Sequence, residues 1–174
     1  MLTFLTDRFL DIQLIVEDET GLKIPVTSIA QKEFFLIPEE FVTPSGSSGR
    51  GSILRQCFLE DGTISSESLE IDLYNFDDET KEYYLDSSIL DVGDILYKLD
   101  GQDTFTVSKR ATLIGVYNMN RGYADFKQIN ILYQNEEYAI VKSNTRYGLN
   151  VYDYIALNAD RVQDDQFINQ RATE

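Results

Sequence analysis

A short pattern that occurs twice limits the folds open to this chain. Leu90-Asp91-Val92-Gly93-Asp94-Ile95-Leu96 aligns with Leu149-Asn150-Val151-Tyr152-Asp153-Tyr154-Ile155, and the shared form is Leu-(Asp/Asn)-Val-x-Asp-x-(Ile/Leu). Upstream, Gly62 and Gly122 each follow an apolar strand pattern at almost the same offset, which also sets Leu69 on Ile129 and Ile71 on Ile131. Between these anchors Lys81-Glu82-Tyr83 faces Glu136-Glu137-Tyr138. Matched patterns at a nearly constant spacing imply two similar β units, each a hairpin followed by a return strand. A unit this short needs its neighbour to complete the burial of its apolar face.

The segments between the anchors read as strands. Residues 8–16 alternate, with Leu10, Ile12, Leu14 and Val16 on one face, the period of a half-buried strand. Glu33 to Pro38, Ile53 to Leu59, Ser68 to Tyr74, Tyr83 to Leu85 and Asp94 to Leu99 are further strand candidates. A similar block runs from Leu113 to about Ile168. Glu60-Asp61-Gly62 is a hairpin turn signal, and Asn75 to Thr80 is an acidic turn. Residues 43–52, TPSGSSGRGS, are rich in Gly and Ser and read as a flexible exposed loop. No long amphipathic helix is visible, and residues 164–174 read as a helical turn or a tail. The expectation is an all-β protein of two related small β-barrel-like domains in tandem. The first covers 1–107, including the 43–52 loop, and the second covers 108–174.

Composition excludes several chemistries. The 174-residue chain has no His and one Cys. A His base, a His metal ligand, a Ser-His-Asp triad, a disulfide framework and a multi-Cys zinc site are therefore outside its means. Fifteen Lys and Arg against 30 Asp and Glu give a net charge of -15, which repels phosphate backbones and argues against nucleic-acid binding. No apolar run approaches the roughly 18 residues of a membrane span. The acidic groups at Asp77-Asp78-Glu79, Glu136-Glu137 and Asp91, Asp94, Asp100 and Asp103 lack the spacing of a calcium loop and read as solvated turns. No metal, no cofactor and no catalysis are expected. Cys57 reads as a buried small hydrophobe. Gly62 and Gly122 read as positive-φ turn residues, and Asp94 and Asp153 as carboxylates that cap a turn through backbone amides. Among eleven tyrosines, Tyr152 and Tyr154 are the interface candidates, because Tyr152 stands where a small turn residue is expected.

The repeated unit resembles the β domains of HlyD-type membrane fusion proteins, also called periplasmic adaptor proteins. Gly115-Val116-Tyr117 through Ile129 is similar to that family's strand-turn-strand. Gly148-Leu149-Asn150-Val151-Tyr152-Asp153-Tyr154-Ile155 resembles its closing Gly-Leu-x-x-Gly-Asp motif at Gly148, Leu149 and Asp153, and departs from it at Tyr152. The first copy keeps Gly93-Asp94 but has Ile89-Leu90 in place of Gly-Leu. Gly21 to Ile29 and Ile37 to Val42 are similar to the family's lead-in to its membrane-proximal domain, and Arg8 to Val16 to the last strand of its β-barrel. The resemblance implies an extracytoplasmic fragment of a protein anchored in a cell membrane through a segment absent from this chain. Its role would be non-enzymatic contact with a transporter, a cell-envelope complex or another copy of itself. A carbohydrate- or cell-wall-binding β module, using exposed tyrosines, is the alternative expectation.

Overall fold

A computed structural model describes residues 21–46, 49–101 and 103–162. The strand expected at 8–16 and the tail at 164–174 lie outside the described residues. Among those described, the chain is all-β. Its strands are β1 (Gly21–Pro25), β2 (Ile29–Pro38), β3 (Val42–Ser45), β4 (Arg50–Phe58), β5 (Ile64–Asp77), β6 (Glu82–Asp86), β7 (Ile95–Tyr97), β8 (Thr104–Thr106), β9 (Arg110–Asn120), β10 (Tyr123–Gln128), β11 (Ile131–Gln134) and β12 (Tyr138–Lys142). The larger sheet runs β10-β9-β2-β6-β5-β4-β7-β8, with β3 on β4, and the smaller runs β1-β12-β11. Every pairing between these strands is antiparallel.

The sheets do not close into a barrel, which corrects the barrel-like expectation. Strand β2 explains the layout. Its residues 34–38 pair with β6, and its residues 29–35 pair with β9. The larger sheet is therefore continuous across residue 107, the expected division between units.

The same local geometry recurs on the two sides of β2. Ile24-Pro25 is followed by a 3₁₀ turn at Val26–Ser28, and Ile37-Pro38 by a 3₁₀ turn at Glu39–Phe41. Proline fixes φ near the value these corners need and ends the strand it closes. Pro25 pairs with Tyr138 and Pro38 with Glu82. The Val26 amide donates to the Glu137 carbonyl at 3.1 Å, and the Glu39 amide to the Lys81 carbonyl at 2.9 Å. Beyond each corner, Ile29 pairs with Val116 and Val42 with Ile53. One lead-in thus serves β9 and β12, and the next serves β4 and β6. The order is nested: the lead-in of the later unit comes first.

Alternation along β2 feeds three cores. Phe35 and Ile37 enter a core with Ile53, Ile71, Leu85, Leu90 and Leu96. Ile29 borders a second core of Ile24, Val116, Ile129, Ala139, Val141 and Leu149. Phe34 faces a third, with Leu113, Tyr117, Ala124 and Phe126. Phe34, Phe35 and Ile37 are fully buried, and each such side chain contributes roughly 1.5–3 kcal/mol.

Residues 43–52 are not one loop. Val42–Ser45 and Arg50–Phe58 form a hairpin. Pro44 is tolerated because β3 pairs on one side only. Gly51 is required where β3 crosses, since a Cβ there would sit 2.9 Å from the Thr43 carbonyl oxygen. Strand β5 is longer than Ser68 to Tyr74 and takes in half of the expected acidic turn, so that turn is confined to residues 78–81. Cys57 is only partly buried, because it lies on β4 near the exposed hairpin tip.

One ion pair lies on the aromatic face of β2. The Lys32 ammonium donates to Asp86 at 2.7 Å, with side chains 13% and 6% exposed, and sits 5.5 Å from the Phe34 and Tyr74 rings. Burial would raise the Asp86 carboxyl, but hydrogen bonds from Lys32 and the Ser88 amide outweigh it and hold the group below the usual carboxylate range. A depressed carboxyl stabilises the fold fully above its unfolded value, near pH 4, and that stability is lost as pH falls through the folded value. Lys32→Met strands a buried carboxylate and is expected to cost about 3 kcal/mol near neutral pH. That cost should shrink as pH falls and the stranded carboxyl takes up a proton, checked by urea midpoints between about pH 2.5 and 7.

Candidate functional site

The paired motif forms the same turn at both positions. At the first, the Asp91 amide donates to the Asp94 carboxylate at 3.0 Å. At the second, the Asn150 amide donates to the Asp153 carboxylate at 2.8 Å. The main chain closes each turn, Asp94 amide to Asp91 carbonyl at 3.1 Å and Asp153 amide to Asn150 carbonyl at 3.2 Å. Leu90 and Leu149 anchor the turns in the first and second cores. After each turn the chain returns to the first strand of its own hairpin: Leu96 pairs with Arg55, and Ile155 bridges to Asn118.

A second pair of turns matches as well. Asp77 Oδ1 accepts from the Glu79 and Thr80 amides at 2.8 and 3.2 Å. Asn135 Oδ1 accepts from the Glu137 and Tyr138 amides at 2.9 and 2.8 Å. The Thr80 and Glu79 amides hold the Asp77 carboxyl below its ordinary value. The acidic residues at these turns project outward, and among the described residues no group of three or more carboxylate or Cys side chains converges on one point.

The glycines divide by role. Gly62, Gly93 and Gly122 have φ of +81°, +99° and +89°. Gly122 closes the β9–β10 hairpin beside Arg121, also left-handed at φ +50°, as a two-residue turn requires. Gly148 serves close approach: a Cβ there would strike the Thr145 hydroxyl and crowd the Gln128 carbonyl.

Tyr152 occupies the position of Gly93. Its φ is +76°, a conformation that disfavours any residue with a Cβ. Its ring is 92% exposed, so little packing offsets that strain, and Tyr154 is 79% exposed. Val151 and Leu157 are exposed beside them. In the corresponding stretch of the first unit Val92 is exposed, while its one aromatic residue, Tyr97, is half-buried and donates its hydroxyl to Gln56 at 3.1 Å. Exposed aromatic and aliphatic side chains thus recur on and just after a strained turn.

A second feature was not visible in the sequence. Two cavities, of about 440 and 380 Å³, lie along the gap between β5 and β10, and both are lined by Arg146 and Tyr147. The Tyr147 hydroxyl is buried and has no hydrogen-bond partner among the described residues. Burial pushes its phenol up, against a smaller opposing effect of Arg146. Tyrosine is too common in this chain for position 147 to stand out before the gap is seen.

No family model matches the chain, and no curated protein or solved structure matches it. Among the described residues no helix is long and apolar enough to cross a membrane.

Tyr152→Gly is expected to raise stability by about 1 kcal/mol, and Gly93→Ala to lower it by a similar amount. Urea midpoints of the two variants against the parent check both signs.

Proposed function

We propose that this chain is a non-enzymatic assembly module whose partner docks on the exposed segment that carries Val151, Tyr152, Tyr154 and Leu157. The observation that carries this reading is Tyr152 itself. A large aromatic side chain is kept, exposed, at a left-handed position where glycine serves the matching turn. Aromatic residues dominate the energetics of protein contacts, and a role in binding accounts for a residue that the turn alone disfavours.

The sequence resemblance to HlyD-type adaptors supplies the finer proposal. In it the module is an extracytoplasmic part of a membrane-anchored protein, and the partner is a transporter or a cell-envelope complex. The lead-in prolines and the Asp-capped turns supporting that proposal are scaffold features, so the partner face is argued from the surface. A carbohydrate- or cell-wall-binding module is the second reading, favoured by the two exposed phenol rings side by side in sequence.

The two readings separate on one pair of experiments. A photo-crosslinking residue at position 154, in the cell that makes the protein, should join it to a membrane transporter or envelope protein. Tyr152→Gly, which leaves the fold intact, should abolish that product. A glycan and peptidoglycan-fragment array should stay silent. Saturable glycan binding lost on Tyr154→Ser, with no crosslinked protein, would establish the second reading instead.

A further inference from the structure

The gap between β5 and β10 is where the larger sheet fails to close. Strand β4 pairs with β5 as far as Asp72, and the Leu73 amide still donates to the Gly49 carbonyl at 2.7 Å, so among the described residues the β4–β5 pairing stops at this point. Across the gap, among the described residues, β10 pairs with β9 alone and ends the sheet. Its two-residue turn makes Asn120 and Tyr123 a hydrogen-bonded pair, so the main-chain groups of Ala124 and Phe126 point away from β9. The other side of β9 agrees: Tyr117 and Met119, opposite Phe126 and Ala124, bond to Ala156 and Tyr154. Among the described residues, the outward amides and carbonyls of Ala124 and Phe126 therefore have no partner strand, and both residues help to line the larger cavity.

The charge around this edge departs from the rest of the molecule. In a chain of net charge -15, the cavity collects Arg50, Lys127 and Arg146 against Asp72 and Asp125. Arg50 is 3.4 Å from Asp72, and Lys127 is 2.9 Å from Asp125. Arg146 is exposed, forms no ion pair among the described residues, and lies over the ring of Tyr147 at 5.4 Å. Beneath it, the Tyr147 hydroxyl holds a donor without an acceptor.

We propose that this groove binds an extended acidic peptide segment, which adds as a strand to the open edge of β10 and sets a carboxylate against Arg146 and Tyr147. Main-chain hydrogen bonds to Ala124 and Phe126 supply affinity, as in other strand-addition sites. The unpaired guanidinium and phenol select an acidic side chain on the incoming strand. The groove shares no lining residue with the Tyr152 segment, so either can fail without the other.

The test uses the full chain and two labelled peptides, one alternating valine and glutamate and the other valine and lysine. Fluorescence anisotropy should show saturable binding of the glutamate peptide only, weakening with salt. Arg146→Glu, an exposed position that leaves the fold intact by circular dichroism, should weaken it about tenfold. Tyr147→Phe should weaken it less, and Tyr152→Gly should leave it unchanged. Bound peptide should shift the Ala124 and Phe126 amide resonances. The proposal is overturned if neither peptide binds, if binding ignores Arg146→Glu, or if the shifts map to β11. A second copy seated in the groove would instead give a concentration-dependent dimer that Arg146→Glu dissolves without any peptide response, and this too overturns it.

Discussion

Strand β2 hydrogen-bonds to β6 through residues 34–38 and to β9 through residues 29–35, and this double pairing fixes everything around it. Its side chains alternate between opposite faces, so one strand supplies Phe35 and Ile37 to one core and Phe34 to another. Neither unit has a complete sheet without it. The lead-ins at Pro25 and Pro38 place the strands before and after it on β12 and β4. Two motif copies that look consecutive along the chain are thereby woven through a shared strand.

The individual strands were legible because alternation and turn residues act locally. Ile53 to Leu59 and Tyr83 to Leu85 carry their own apolar period, and Gly62 and Gly122 mark their turns by backbone conformation. The turn carboxylates, Asp94 and Asp153, bond within four residues, so spacing alone could indicate them. What escaped the sequence depends on distant partners. Strand β3 carries Pro44 between polar residues, and it is a strand only because β4 lies beside it. The pairing of β1 with β12 joins opposite ends of the described chain, and no local pattern encodes it. The open gap beside β10 exists only once every other strand is placed, so Arg146 and Tyr147 gave no advance signal.

Charge and exposed apolar surface are distributed in a way that suits a binding protein. Acidic side chains at turns such as 78–79 and 136–137 are exposed, where charge of one sign opposes unintended strand pairing. Against that background the exposed rings of Tyr152 and Tyr154, and the cationic rim near Arg146, are local departures. The first lies on a turn strained by its own side chain, and the second borders a strand with one neighbour among the described residues.

The central claim is that β2 makes the two units one cooperative structure. Native-state hydrogen exchange in increasing denaturant measures this directly. The account predicts that amides of β2, β6 and β9 share the highest opening free energy and that the cores on either side of β2 unfold together. Separate unfolding of the β4–β7 and β9–β12 regions, with β2 amides following only one of them, would contradict it.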